Sequence, residues 1–400
     1  MGDGGGRLLT ERFSAPHEVR ALADFRADSR DGVLSLYLDL DPSEFAVPKA
    51  RTAEIESLAD QARQRYTDDE EHRPLELDSP VARTVEQVRA YLEQEFTPGG
   101  ALGVGVFAAE QPQLFEVIRL DHTVKARVVL ARRPFVRPLL EGPPVLDGWA
   151  VLMVNRRTAR LLAGRGGAVE EIQEFADAVH GRHDQGGFSQ ARYQRHIEEQ
   201  VKDHVQRSCQ SLFDYSREGG VEHLVVSATD EVKRLVQYSL HPQLERVLAG
   251  WITADIESAR PGEVAAQVME LAVRDREQAD GDLIEQLGTG LGNGEGAVAG
   301  TQLVLEALNR HAVGVLLACP DLSGTAVVCP SCGWLGLEAT VCPIDGTSVD
   351  RYDDLPEVMV EGALDQTARV RVIDREEVRS RGCVAALLRF DPGLGANPQV

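Results

Sequence analysis

Nothing in this 400-residue chain leaves the backbone fewer choices than a pair of cysteine turns, "CPSCGW" at 329–334 and "CPIDG" at 342–346, with nine residues between Cys332 and Cys342. Two ligand positions separated by two residues let both side chains point at one ion, while backbone N–H groups of the turn support the sulfurs. Cys329, Cys332 and Cys342 supply thiolates, and Asp345 stands at the fourth position. A carboxylate oxygen completes a tetrahedral zinc site, so the spacing predicts a zinc-ribbon-like insert over 325–348 with a structural Zn2+, all four positions being supplied by the protein. A ribbon that has lost its metal is the competing reading, and Cys319 or Cys383 is a substitute for the fourth ligand.

Length and apolar content set the frame around that insert. Four hundred residues exceed one hydrophobic core, and 43% apolar residues suffice for several. The N-terminal "MGDGGGRLLTERFS" has no apolar signal core, and the longest apolar run, 312–319, is far too short for a bilayer. These features point to a soluble, cytoplasmic chain with reduced cysteines and no membrane partner. The formal net charge of -22 argues against a general polyanion-binding surface, though not against a local patch.

Patterning along the chain predicts three domains of mixed α/β and α+β class. Residues 1–145 open with a helix at "HEVRALADFRA" and a strand at "VLSLYLDL" whose alternation has the period of a half-buried strand. Helices near 51–66 and 80–96 follow, then strands at 101–109, 114–119 and 127–131. Residues 146–286 begin with "WAVLMV" and "TARLLAG" as a hairpin turning at Asn155 and Arg156. "VEEIQEFADAVH" reads as a helix with Ile172, Phe175, Ala176 and Val179 on one face, and Tyr193, Ile197, Val201, Val205 and Leu212 mark a longer amphipathic helix. "EHLVVSA" and "WITADI" are strand candidates. The glycines of "LGTGLGNGEGAVAG" lack phosphate-loop spacing and read as a linker into residues 287–400. That last domain has a helix at "TQLVLEALNRH" and strands at "VGVLLA", "ARVRVI" and "CVAALLRF".

One segment reverses the acidity of the rest. "HGRHDQGGFSQARYQRH", 180–196, holds three histidines and three arginines against the single acid Asp184, around the bare pair Gly186-Gly187. Ser189 is placed to cap the following helix, so the loop would sit at a helix N-terminus, where backbone N–H groups and the dipole favour anions. Arg182, Arg192, Arg195 and Tyr193 add a phosphate- or RNA-binding face. Paired glycines permit close approach of a ligand or another chain. The plain alternative is an ordinary connection between two helices with a solvated basic face.

The order "WAVLMVNRRTARLLAG", helix, "GGFSQARYQRH", long helix and strand resembles the middle domain of archaeo-eukaryotic class I peptide release factors. In that family a Gly-Gly-Gln loop, followed by an arginine and an aromatic residue, promotes hydrolysis of peptidyl-tRNA. Gly186 and Gly187 match the two glycines, and Arg192 and Tyr193 match the residues beyond. Phe188 stands where those factors carry glutamine. Gly187-Phe188-Ser189-Gln190 is similar instead to the Gly-x-x-Gln pattern of the related Vms-type hydrolases, which makes Gln190 the candidate for positioning water or the tRNA end. "GTQLVLEALNRHAVGVLLA" and "RVRVIDREEVRSRGCVAALLRF" are similar to the C-terminal domain of release factors and Pelota, where a comparable insert occurs.

The resemblance, closest to the bacterial branch of this superfamily, covers about residues 145–390 and implies a ribosome-associated protein whose middle domain faces the tRNA acceptor end, with a translational GTPase as a further partner. Residues 1–145 lack the Asn-Ile-Lys-Ser motif of stop-codon reading. Three functions stay open: peptidyl-tRNA hydrolysis in ribosome rescue, catalytic candidates Gly186, Gly187 and Gln190; a non-catalytic A-site occupant, such as a hibernation or stress factor; and a non-ribosomal protein that retains the fold.

Overall fold

A computed structural model describes residues 10–13, 16–27, 32–41, 48–69, 79–110, 113–176 and 190–393. The architecture is mixed α/β and α+β, as the alternating periods predict, and it divides into two compact units. One unit joins Met1–Pro143 with Ala279–Val400; the other is Pro144–Gln278.

In the first unit, β1 (Thr10–Phe13), α1 (Pro16–Ala23), β2 (Val33–Asp39), α2 (Pro48–Asp69), α3 (Pro80–Gln94), β3 (Gly103–Ala109), β4 (Leu114–Leu120), β5 (Arg127–Ala131) and α4 (Arg137–Leu140) follow one another. The strands form a sheet in the order β1-β4-β3-β2-β5, antiparallel except for the parallel pair β1 and β4. Strand β2 differs from its half-buried expectation. Leu34, Leu36 and Leu38 pack with α2 and α3 on one face, while Ser35 and Tyr37 are buried on the other, so the sheet is covered on both sides. Two polar groups hold that second face together: Ser35 Oγ accepts from Phe135 N–H at 2.9 Å, and Tyr37 Oη donates to the Phe135 carbonyl at 2.5 Å.

The second unit holds β6 (Trp149–Val154), β7 (Thr158–Arg165), β8 (Ala168–Ala176), α5 (Gln190–Gly219), β9 (His223–Ala228), α6 (Asp230–Ser239), α7 (Pro242–Glu245), β10 (Leu248–Trp251) and the first half of α8 (Pro261–Asn293). Its sheet runs β10-β9-β6-β7-β8, parallel across β10, β9 and β6 and antiparallel from β6 to β8. The hairpin forms as expected: Asn155 Oδ1 accepts from the N–H groups of Arg157 and Thr158, both at 2.8 Å. Helices α5 and α6 cover one face of the sheet, and Val264, Ala265, Val268 and Ala272 of α8 cover the other.

Three expectations are corrected. Residues 168–176 are not helical but form β8, paired antiparallel with β7 through a register shift at Leu161/Leu162. The last sheet strand is β10, so of "WITADI" only Trp251 is extended in a strand. The glycine-rich 287–300 is no linker: Gly288, Gly290 and Gly292 lie inside α8, which is followed directly by Gly294 with a left-handed φ of 72°. Leu283, Leu287 and Leu291 recur every four residues and pack inward, which offsets a glycine cost of roughly 1 kcal/mol each. At Gly290 a Cβ would come within 2.7 Å of Ala297 Cβ, so the returning strand needs the glycine.

The remaining elements belong to the first unit: β11 (Ala297–Ala299), α9 (Thr301–Asn309), β12 (Val313–Ala318), β13 (Ala326–Val328), β14 (Leu335–Gly336), β15 (Asp350–Tyr352), α10 (Leu355–Asp365), β16 (Arg369–Val372), α11 (Glu376–Arg379) and β17 (Val384–Leu388). A sheet of order β11-β17-β12-β16 packs one face on α8 and the other on α9 and α10. The latter face shares one apolar core with α1, α4, Tyr37 and Phe135, so the first and last blocks of sequence bury a common interior. Charged groups line its edge. Arg127 and Arg137 meet Asp354, and Arg26 and Arg133 meet Asp365, at 2.5–3.2 Å.

Candidate functional site

The cysteine-rich insert folds as a three-stranded antiparallel sheet, β14-β13-β15, with the two turns at one end. The turns repeat each other bond for bond. Cys329 N–H donates to Trp334 O at 2.8 Å and Gly333 N–H to Cys329 O at 2.9 Å; Cys342 N–H donates to Thr347 O at 2.7 Å and Gly346 N–H to Cys342 O at 3.0 Å. Gly333 and Gly346 have φ of 76° and 74°, the left-handed conformation that a residue with a Cβ resists. Even the strand pairs correspond, Val328 opposite Leu335 and Val341 opposite Ser348. Asn309 of α9 anchors the insert by exchanging two 2.8 Å hydrogen bonds with the backbone of Leu335.

Equivalent turns bring Cys329, Cys332, Cys342 and Asp345 together, with one ligand atom of each within 4.8 Å of every other. Cys332 Sγ lies 3.5 Å from Cys342 Sγ, and Cys329 Sγ lies 3.6 Å from both carboxylate oxygens of Asp345. Zinc at about 2.3 Å from sulfur and about 2.0 Å from oxygen would set sulfurs about 3.8 Å apart and sulfur about 3.5 Å from oxygen. The donor set therefore fits zinc. The sulfurs also receive the expected support, Cys332 N–H to Cys329 Sγ and Ile344 N–H to Cys342 Sγ, each at 3.4 Å.

Electrostatics favour the ionised form at Cys329 and Asp345 but not at Cys332, where the Trp334 N–H is outweighed by burial and by hydrogen bonds with Cys342 and Cys329 and the thiol is pushed up to about 11. Burial pushes the Cys329 thiol up, but the N–H groups of Cys332 and Ser331 aimed at its sulfur hold it below its ordinary value. The Thr347 N–H, 3.0 Å from Asp345 Oδ1, holds that carboxyl well below the carboxylate range despite the opposing effect of burial, with a further hydrogen bond from Ser331. Ser331 and Thr347 are supporting residues that spacing alone did not single out. Cys319 and Cys383 do not substitute in this group; they lie together with Asp321 elsewhere.

The basic segment occupies the connection between edge strand β8 and helix α5. Arg182, Gly186 and Gly187, with Phe188 and Ser189, lie outside the described residues. Gln190 is the first residue of α5, and Arg192 and Tyr193 fall in its first turn. Arg195 and His196 are exposed, with His196 Nε2 3.3 Å from Gln200 Nε2. Ile197, Val201, Val205, Cys209 and Leu212 are all buried against Ala150, Leu152, Val154, Ala159 and Leu161 of the sheet. From Ile197 to Leu212 the apolar spacing of α5 is thus as expected, while the side chain of Tyr193, read on the same face, lies outside what is described.

Comparison with known proteins places this unit. Residues 134–273 match the family model described as bacterial archaeo-eukaryotic release factor family 10. Peptide chain release factor subunit 1 of Methanopyrus kandleri is 26% identical over 222 residues, and the match covers 50% of each chain, so the chain spans about half the length of that curated relative. Among solved structures, an archaeal translation termination factor aligns over 95% of this chain and 99% of its own at 18% identity and a TM-score of 0.26. Pelota of Archaeoglobus fulgidus aligns over 72% of this chain and 80% of its own at 16% identity and a TM-score of 0.32. Over residues 134–273 the chain is therefore similar to the bacterial archaeo-eukaryotic release factors, and over about half its length to an archaeal peptide chain release factor.

Proposed function

We propose that this is a ribosome-associated, release-factor-like protein of the cytoplasm, whose middle segment acts at the acceptor end of peptidyl-tRNA and hydrolyses its ester in ribosome rescue. The observation that carries this reading is the family match over 134–273, which spans the basic Gly-Gly segment. No described helix is long and apolar enough to cross a membrane, in keeping with a cytoplasmic site of action. Gly186 and Gly187 would let the backbone approach the tRNA terminus, and Arg182, Arg192, Arg195 and Tyr193 would meet its phosphates and bases. Gln190 has an amide that donates and accepts hydrogen bonds but takes up no proton near neutral pH, so its part is to position water or the ester carbonyl. By the same resemblance the C-terminal block is where a translational GTPase would dock.

Phe188 favours a second reading. A chain with no glutamine directly after its glycine pair can occupy the A site without cleaving the ester, as a hibernation or stress factor. For the insert, we infer a structural Zn2+ held by Cys329, Cys332, Cys342 and Asp345. With the metal supplied by the protein's own ligands, its contribution is to folding of the turns. Sedimentation of the tagged protein from growing and starved cells, paired with release of nascent chains from stalled ribosomes, tests the two readings. Ribosome association with release supports hydrolysis, and association without release supports occupancy. Absence from ribosomes in both states overturns both and leaves a non-ribosomal role.

A further inference from the structure

Cys319 and Cys383 face each other where the cysteine-rich excursion leaves its sheet at the end of β12, beside the start of β17. Cys319 directly follows β12 and Cys383 directly precedes β17, and these neighbouring strands are antiparallel with Ala318 opposite Val384. The ladder continues one step further, Cys319 N–H donating to Cys383 O at 2.9 Å. Both cysteines are free, and their sulfurs lie within 4.8 Å of each other and of the Asp321 carboxylate. Cys319 is 2% exposed, whereas Cys383 is half-buried and reachable from solvent. Cys383 also adopts a left-handed φ of 62°, one of three described residues other than glycine to do so. Such strain marks positions held by their surroundings for a reason other than local preference.

A second metal centre fits these residues less well than sulfur chemistry does. The group offers two thiols and one carboxylate, and that carboxylate is already engaged: Arg379 Nη1 donates to Asp321 Oδ2 at 2.7 Å. A guanidinium at this place opposes a cation and favours a neighbouring thiolate. We infer that Cys319 and Cys383 are an oxidisable dithiol that closes to an intramolecular disulfide when it meets a peroxide.

The half-exposed Cys383 is the thiol that meets the oxidant, because burial pushes the Cys319 thiol up to about 12 and shields it. The Cys383 thiolate attacks one peroxide oxygen, breaking the O–O bond and giving a sulfenic acid and hydroxide. Cys319 sulfur then attacks the Cys383 sulfur, the S–S bond forms, the S–O bond breaks, and the hydroxyl leaves with the remaining thiol proton as water. Two electrons pass from the two thiols to one peroxide, with two waters as product. A dithiol reductant reverses the step. Closure ties the root of the excursion, at the end of β12, to β17.

The experiment uses the full chain and hydrogen peroxide, followed by alkylation under denaturing conditions, non-reducing digestion and mass spectrometry. The expected result is a peptide containing Cys319 joined to one containing Cys383, two hydrogens lighter than the separate pair and restored by dithiothreitol. Oxidised protein should also melt higher than reduced protein, and Cys383→Ser should abolish both the cross-link and the shift. Recovery of both cysteines as separate alkylated peptides overturns the inference, as does over-oxidation of Cys383 without a cross-link, or pairing of Cys319 with a cysteine of the insert. A second equivalent of zinc in the wild type that disappears in Cys383→Ser would make the pair a metal site instead. The wild-type digest decides the matter even where a variant folds poorly.

Discussion

Asp345 stands to Cys342 as Cys332 stands to Cys329: each is the third residue after a cysteine whose carbonyl accepts from a left-handed glycine one position further on. Because the two turns share their backbone hydrogen bonds, the exchange of sulfur for carboxylate leaves the frame of the site intact. What changes is ligand softness, since thiolate binds zinc more readily than carboxylate.

Purified protein should carry close to one zinc per chain, measured by elemental analysis. Cys329→Ser should lose it together with local stability, because metal binding and folding of a small ribbon are coupled. Asp345→Cys should keep the metal and resist a chelator longer than wild type. Metal-free protein that melts identically with and without chelator would contradict the assignment.

Gln190→Ala should lower release of nascent chains from stalled ribosomes on the order of a hundredfold while leaving co-sedimentation nearly unchanged, as for loss of a transition-state contact. Replacing Arg192 and Arg195 by glutamate should instead weaken co-sedimentation itself, and wild-type binding should fall with added salt. Phe188→Gln restores the Gly-Gly-Gln of the release factors and should raise hydrolysis. Equal behaviour of Gln190→Ala and wild type in a release assay would remove the hydrolase reading.

Glu361 and Asp365, one turn apart on α10, should shift stability in opposite directions with pH. Burial, only partly opposed by Arg133, pushes Glu361 up to about 7 from an ordinary 4.5. Its folded form holds the proton more tightly than the unfolded chain does. The stabilisation is therefore full below about 4.5 and lost as pH rises through about 7. Burial also acts to raise Asp365, but hydrogen bonds from Arg133 and Arg26 outweigh it and hold the group below its ordinary value. Its contribution is present near neutral pH and lost as pH falls through the folded value. Denaturant titrations should show Glu361→Gln more stable than wild type at pH 8, with the difference gone at pH 4.

Arg160 of β7 is 7% exposed and fully engaged, donating to Glu171 of β8 at 2.8 and 2.5 Å and to the carbonyls of Ile256 and Ala259 at 3.3 and 2.8 Å. Arg160→Leu strands the carboxylate and two carbonyls together and should cost roughly 3 kcal/mol in denaturant unfolding. Pairing it with Glu171→Leu should recover part of that loss. An Arg160→Leu protein as stable as wild type would show that the edge strand is held by its backbone ladder alone.

Features governed by neighbours in sequence were legible. The β6–β7 hairpin follows from apolar alternation around Asn155, whose side chain caps its own turn, and α5 follows from apolar residues at steps of three and four. The cysteine turns belong to the same class, because a ligand pair and a glycine within five residues specify the local backbone. Of the basic segment, only the start of α5 lies within the described residues, and the buried face whose spacing is as read begins beyond it, at Ile197.

Other outcomes were decided by partners distant in the chain. Ile172, Phe175 and Ala176 have helical spacing, yet they extend as β8 because β7 presents an open edge to pair with, while Val179, read on the same helical face, lies outside the described residues. Glycines that ordinarily break a helix stay within α8 because Leu283, Leu287 and Leu291 find apolar cover and Gly290 admits Ala297. Strand β2 reads as half-buried until α10 and Phe135 close over its second face. The pairing of Cys319 with Cys383 spans 64 positions and exists only because β12 and β17 are neighbours. By itself the sequence determined periodicity, turns and ligand spacing, since these rest on steric and hydrogen-bonding preferences within a few residues. Only the tertiary structure decided which faces are covered and which side chains meet, since burial and strand pairing depend on surfaces that distant segments supply.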